Sequence, residues 1–362
     1  MNILLDNIIF SLQKTGGISV VWQQHLEKIL QDNDFRIQFF EYDNSESNFF
    51  RKQLQINKEL IDVKNSSLLF LKRYLDLKST NDEKHLFHSS YYRLKKGDNV
   101  INVTTVHDFT YEFFFKGYSQ KIHTWQKNAA ISNSDGIICV SESTKEDLLK
   151  FLPNINENKI RVIYNGVDSE YRKLPEDIIF EKKHFFEDYS YAIYVGDRKS
   201  SYKNFDVVLD ACAFSKLSLL IIGGGKLTDK EQFDIKCKLG EGNYINLLNV
   251  SVKDLNYYYN KAFCLLYPSL YEGFGIPVLE AQMAGCPVIA TDSSSIPEVI
   301  GNKYFALKEP SSYKISQKIN ELSISLNLRD ETVELGFEKA KKFTWQNTYK
   351  ETKEFYKELY KT

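Results

Sequence analysis

The sequence is short of the features that mark several large function classes. Its five cysteines, Cys139, Cys212, Cys237, Cys264 and Cys286, show no C-x-x-C spacing. Four of them lie in or beside apolar runs, which reads as core sulfur in a reducing compartment and leaves no zinc site. Long apolar runs are missing too: stretches such as residues 217–222 fall far below the roughly 20 residues that span a bilayer. No basic-then-apolar leader opens the chain. The expectation is a cytoplasmic chain, soluble or at most peripheral to the inner face of a membrane. Nor is there an excess of charge of one sign, with 47 Lys and Arg against 48 Asp and Glu and a net charge of -1. No global field therefore draws the chain to nucleic acid. The glycine turn 223–225 is followed by Lys226 and Leu227 instead of G-K-[ST], so a nucleotide-hydrolysing P-loop is not expected. Asp32 and Asp34 have D-x-D spacing, but they fall in the turn between the first helix and residue 35, away from the carboxyl end of any strand. No metal and no other cofactor is expected.

What remains is an α/β pattern written twice. A chain of 362 residues is comfortable for two domains, each burying its own core. Residues 2–10 form an apolar run broken by Asp6 and Asn7, and Gly16 and Gly17 then open an amphipathic helix over 18–30. Strand, glycine loop and helix make the first unit of a doubly wound fold. Further buried strands are predicted over 85–88, 100–106, 136–140 and 159–163, the second of them ending in His107 and Asp108. Residues 68–77 and 119–133 read as helices, the latter carrying Ile122, Trp125 and Ala129 at helical spacing. Ser141 can cap a helix over 143–151. The pattern restarts with a strand at 191–195, followed by Gly196, Asp197 and Arg198, then by Lys203, Asn204 and a helix over 205–214. Strands at 217–222 and 244–248 come next, the second leading into Asn249, Val250 and Ser251. Residues 313–361 read as helical throughout, with an aromatic stripe through Trp345, Tyr349, Tyr356 and Tyr360.

The most informative stretch is 267–285, YPSLYEGFGIPVLEAQMAG. It follows the apolar strand 262–266 and so emerges at the carboxyl end of a parallel sheet, where open α/β sheets bind ligands. Gly273 and Gly275 let backbone approach a ligand, Pro277 suits the start of a helix, and Gly285 stops it. The helix N-terminus there can accept hydroxyls or anions. Glu272 stands at the mouth of the turn and Glu280 about one turn, ~5 Å, into the helix, so the two carboxylates reach different parts of an extended ligand. A carboxylate accepts well from a vicinal diol. Arg198 and Lys203 bracket a loop at the carboxyl end of another strand, where two cations can neutralise a diphosphate without a metal. Taken singly each has a plainer reading. An isolated Glu pair is commonly a helix charge and a loop charge, surface cations are common, and a lone His is more often structural.

Together these residues resemble, almost residue for residue, the E-x7-E signature of glycosyltransferase family 4, the retaining transferases of GT-B fold. Residues 88–93, HSSYYR, and 105–112, TVHDFTYE, are similar to phrases in bacterial polysaccharide, lipopolysaccharide and O-antigen enzymes. The resemblance is dense in the second half and sparse in the first. It implies two Rossmann-like domains facing a cleft, residues 1–170 on the acceptor side and 171–344 binding the donor, with 345–362 returning to the first domain. It also implies roles. Glu272, with Gly273, Phe274, Gly275 and Ile276, would hold the donor sugar, and Glu280 the ribose. Arg198 and Lys203 would clamp the diphosphate, with Lys199 competing for that role; Asn249 and Val250 would meet the nucleobase. Gly16 and Gly17 would face the diphosphate, and His107 would lie beside the reacting centre. The implied reaction is retaining, metal-independent transfer of a sugar, often mannose, from a nucleotide diphosphate donor to a hydroxyl of a saccharide or lipid-linked saccharide. Its front-face mechanism would have the leaving phosphate take the acceptor proton. Two other readings compete: a sugar-nucleotide 2-epimerase of the same fold, which lacks the GFG-x-P turn joined to E-x7-E, and a non-catalytic sugar-nucleotide binding module, against which every mapped position is chemically competent.

Overall fold

The computed structural model describes residues 1–78, 83–175 and 186–361. The chain forms two compact units, Met1–Asn165 with Trp345–Thr362, and Gly166–Thr344. The passage between them falls at 165/166, five residues before the expected 170/171 boundary.

The first unit is a seven-stranded, all-parallel sheet. Its strands are β1 (Asn2–Asp6), β2 (Arg36–Tyr42), β3 (Ile61–Lys64), β4 (His85–Ser89), β5 (Val100–Val106), β6 (Gly136–Cys139) and β7 (Ile160–Val162). They lie in the order β3-β2-β1-β4-β5-β6-β7. Parallel neighbours need crossovers, so the central strands are covered on both faces and read as continuous runs instead of alternating ones. Every residue of β4 and β6 is buried. The helix Gly17–Ile29, α1, packs Trp22, Leu26 and Ile29 into the core built on Ile3, Leu5 and Phe39. The C-terminal helix Trp345–Lys361 adds Tyr349, Phe355 and Tyr356 to that same core.

The second unit repeats the plan with six parallel strands: β8 (Tyr191–Val195), β9 (Ser218–Ile222), β10 (Tyr244–Leu247), β11 (Cys264–Tyr267), β12 (Val288–Thr291) and β13 (Ala306–Leu307). The order is β10-β9-β8-β11-β12-β13. In each unit the chain winds outward in one direction from its first strand and then resumes on that strand's other side. The reversal leaves a crevice between the carboxyl ends of β8 and β11, and another between β1 and β4.

Two sequence expectations change, and one strand was not foreseen. Of the helix predicted over 68–77, only Leu69–Lys72 is helical, and Leu77–Lys78 pairs instead with Lys95–Lys96. Strand β3 gave no signal because it is an edge strand with no buried residue. The tail is three helices, Ser312–Ile324, Leu326–Ala340 and Trp345–Lys361, the second capped by Ser325 accepting from Leu328 N–H at 3.3 Å. Residues 176–185 lie outside the described residues.

Candidate active site

The switch point of the second unit brings two loops together. One follows β8 and contains residues 196–204; the other follows β11 and contains 268–275. Asn204 Nδ2 donates to Pro268 O at 2.8 Å and Leu270 N–H to Tyr202 O at 2.8 Å, so the loops are stitched to each other. Their charged ends meet. Lys203 Nζ lies 2.5 Å from Glu272 Oε1, each side chain mostly shielded from solvent. The buried Tyr267 hydroxyl also bonds to Glu272, and burial together with that carboxylate pushes it well above the ordinary tyrosine range. The family resemblance implies separate partners for these two residues, sugar for Glu272 and phosphate for Lys203. The two side chains neutralise each other.

Arg198 does not join them. Its side chain is fully buried. Nε donates to Glu231 Oε1 at 2.8 Å, Nη1 to the carbonyls of Gly223 and Gly225 at 2.9 and 3.0 Å, and Nη2 to Lys226 O at 2.7 Å and Glu231 Oε2 at 3.4 Å. These contacts occupy all five guanidinium N–H groups. Arg198 therefore holds the glycine turn after β9, and Lys203 is the shielded cation beside Glu272. Lys199 is exposed.

Beyond Glu272 the chain turns through Gly275, whose φ of +102° suits glycine, into an eight-residue helix, α2 (Ile276–Met283). A Cβ at Gly275 would come within 2.9 Å of Ile296 Cδ1. Pro277 falls in the first turn of the helix. Gly285 at φ +77° ends it, with Cys286 N–H bonding to Ala281 O at 2.9 Å and Gly285 N–H to Gln282 O at 3.1 Å, the paired bonds of a Schellman motif. Phe274 is buried edge-on against Phe343, ring centres 5.8 Å apart. Glu280, one turn into α2, receives hydroxyls from Tyr259 at 3.1 Å and from Tyr171. Burial pushes its carboxyl up to about 7, the two tyrosines pull it down, and Asp168 adds to the rise. Asn249, at φ +53°, and Val250 lie at the carboxyl end of β10, on the same sheet edge two strands out.

In the first unit Gly16 is the N-cap of α1 and Gly17 its first residue. His107 follows β5 and, with His25, His88, Trp22, Thr105 and Tyr349, lines a cavity of ≈ 40 Å³. Burial drives His107 and His25 down to about 4 and His88 well below its ordinary value, so all three are neutral at pH 7. Asp32 and Asp34 are spent on the C-terminal helix: Lys353 Nζ lies 2.6 and 2.8 Å from them, Lys357 2.7 Å from Asp34, and Tyr349 donates to Asp32 at 2.7 Å.

Residues 175–339 match the family described as glycosyl transferases group 1, and residues 70–171 match glycosyltransferase family 4. An uncharacterized glycosyltransferase of Methanocaldococcus jannaschii is 28% identical, with 99% of each chain aligned. The O-antigen chain mannosyltransferase B of Escherichia coli is 27% identical over 71% of this chain and 70% of its own. Among solved structures, sucrose-phosphate synthase from Thermosynechococcus elongatus matches with a TM-score of 0.76 at 17% identity, covering 99% of both chains. HepE of Anabaena, in complex with UDP and glucose, matches at 0.70 and 16% identity, covering 98% of both. At such identities these two establish the fold alone. The chain belongs to the group 1 glycosyltransferases. Its fold is GT-B.

This glycosyltransferase also uses residues whose partners are not visible in the sequence. The loop after β12 braces the Glu272 turn: Ser294 Oγ accepts from Glu272 N–H at 2.8 Å, Ser295 Oγ donates to Glu272 O at 2.8 Å, and Ser293 Oγ to Leu270 O at 2.5 Å. A run of three serines after an apolar strand is a visible sign of such bracing, although it does not name the partner. Glu231 and the tyrosines around Glu280 left no local signal, because each meets its partner only through the folded sheet. In the first unit Asp6, at the end of β1, is buried and bonded by Arg93 at 2.6 and 2.9 Å and by Ser89 at 2.7 Å. That network fixes the β1/β4 crevice, and the Asp6 break in the apolar run was its only trace.

Proposed function

We propose that this glycosyltransferase moves a sugar, mannose first among the candidates, from a nucleotide diphosphate donor to a hydroxyl of a saccharide or lipid-linked saccharide, with retention and without a metal. The observation that carries the reading is the Lys203–Glu272 pair at the β8/β11 switch point, next to the N-terminus of α2. A donor diphosphate would draw Lys203 away from Glu272, which frees the carboxylate to accept from sugar hydroxyls. Donor binding thus exchanges one ion pair for two ligand contacts at the same place. Glu280, with Tyr171 and Tyr259 behind it, suits a ribose diol, and Asn249 and Val250 suit a base lying along the same sheet edge. Charge growing on the leaving phosphate would be met by Lys203 and the helix N-terminus, and that phosphate would take the acceptor proton. His107, Gly16 and Gly17 enter by resemblance, His107 as a neutral hydrogen-bonding partner. The O-antigen mannosyltransferase relatives and the UDP-bound structural neighbour support a nucleotide-sugar donor and make mannose the sugar to try first.

The test is a panel of nucleoside diphosphates and their sugars in thermal shift, followed by turnover of the stabilising donor with and without EDTA. Retention is read from the anomeric configuration of the product by NMR. Activity abolished by EDTA and restored by Mg²⁺ or Mn²⁺ would remove the metal-free mechanism. A new epimer formed from donor alone would replace transfer with epimerisation.

A further inference from the structure

The helix Tyr118–Ser132 turns its apolar stripe away from the core. Its buried residues are Gln126, Lys127, Ala130 and Ile131. Tyr118, Ile122 and Trp125, spaced i, i+4 and i+7, lie on the opposite side and are 86, 45 and 63% exposed. Specific partners explain the inward polar residues. Lys127 is buried 2.5 Å from Glu112 and 3.9 Å over the Phe109 ring, and Gln126 Nε2 donates to the carbonyls of Arg73 and Tyr92 at 2.6 and 2.9 Å.

The Gln126–Arg73 bond ties this helix to a second segment of the same kind. There Leu68, Phe70, Leu71 and Leu75 are 59, 65, 53 and 61% exposed. Arg73 Nη2 also donates to the Tyr91 hydroxyl at 2.9 Å, and the Tyr91 ring meets His123 of the helix at 6.1 Å. Two apolar segments, distant in sequence, are thus laced side by side on the first unit. The charge that these two segments leave unneutralised is basic. Residues 66–75 contain Lys72 and Arg73 and no acid, and residues 113–126 contain Lys116 and Lys121 and no acid, in a chain whose net charge is -1, whereas Lys64 is paired with Asp62 at 2.8 Å and Lys127 is buried against Glu112.

We propose that this surface seats the chain on the face of a bilayer containing anionic lipids. Trp125, Tyr118, Ile122 and the Leu68–Leu75 side chains would enter the headgroup level, while the lysines meet lipid phosphates. Trp and Tyr with lysine flanks suit that depth, since each has an apolar body and a polar end. Among the described residues no helix is long and apolar enough to cross a membrane, so the contact is interfacial. A second copy of the chain is the weaker occupant, because a two-fold contact would set these lysines against themselves. The inference goes beyond the proposed reaction and uses none of its residues; should that reaction hold, the enzyme would work beside lipid-linked acceptors.

Vesicle flotation of the full chain tests it, using phosphatidylcholine alone and phosphatidylcholine mixed with phosphatidylglycerol. The chain is expected to float with the anionic vesicles, weakly with the neutral ones, and to be partly released by high salt. Tryptophan emission should shift to the blue on binding. Trp22 and Trp345 are 5 and 7% exposed, so the shift reports Trp125. Trp125→Ala with Leu75→Ser, and separately Lys116→Glu with Lys121→Glu, should each lower partitioning by about tenfold or more at an unchanged melting temperature. Wild type that stays with the soluble fraction, or variants that float as well as wild type, would overturn the proposal. So would a concentration-dependent dimer that Trp125→Ala abolishes, which would give the face to a second copy.

Discussion

At the scale of the residue, similar charges in one crevice do different work, and burial separates them. Lys203 retains a place beside Glu272 where a ligand can exchange with it, whereas Arg198 has no N–H to spare. Lys203→Ala should therefore cost orders of magnitude in kcat/KM with little change in melting temperature, since a charge-assisted contact to a developing phosphate charge is worth several kcal/mol. Arg198→Ala should instead destabilise the second unit by about 3 kcal/mol, because it removes a buried guanidinium that bonds Glu231 and the carbonyls of Gly223, Gly225 and Lys226. Initial rates and thermal unfolding of the two variants separate these outcomes. Glu280 gives a pH prediction. Its carboxyl, raised to about 7, must be ionised to accept from a diol, so below that pH a proton has to leave before nucleotide binds. Affinity for the nucleoside diphosphate should rise with pH, by up to roughly tenfold per unit below about 7, and level off above. In Glu280→Gln the slope should vanish and binding should weaken; a titration series by calorimetry that keeps its slope in that variant would refute the ribose assignment.

At the scale of the element, the strongest sequence signals were those with a local cause. Strands β5 and β8 were read to the residue, and the Gly275 entry and Gly285 exit of α2 follow from backbone conformations that glycine favours. Gly275→Ala should cost about 1–3 kcal/mol through its positive φ and the Ile296 contact, and should weaken donor binding as the Glu272 turn shifts. Melting temperature and donor affinity, measured together, check both. The helix Tyr118–Ser132 shows where local reasoning failed. Its Ile122 and Trp125 spacing predicts an apolar face, but the structure places that face in solvent, because Lys127 and Gln126 find buried partners on the other side. Periodicity identifies a stripe; it does not say which way the stripe points.

At the scale of the whole molecule, titratable groups divide unevenly between the units. Five of the six histidines lie in the first, and His184 is outside the described residues. Burial lowers His25, His107 and His123 from 6.5 to about 4. The unfolded chain then binds protons that the folded unit refuses, so the first unit loses stability as pH falls from about 6.5 toward 4. Glu280 in the second unit runs the other way. Its raised value means the folded state holds the proton more tightly, and its contribution is lost as pH rises from 4.5 through about 7. Calorimetry at pH 5 should show the first unit melting ahead of the second, and at pH 8 the two transitions should move together. A first unit unaffected by acid would contradict the burial of these imidazoles.

The sequence by itself determined the repeated strand, glycine loop and helix plan, the ligand-binding turn at 267–285 and the family, because each is encoded in contiguous residues whose conformational or hydrophobic preferences are local. Only the tertiary structure decided which charges meet. Lys203 and Glu272 are 69 positions apart and come together because β8 and β11 are neighbours at the switch point, and Arg198 is withdrawn by a glutamate 33 positions away on a helix that crosses the same sheet. Likewise Tyr356 reaches His88 across 268 positions, since the chain's last helix packs into the first unit's core. Contacts at such separations depend on strand order and crossover packing. No window of sequence contains both partners, so no local preference can choose between them.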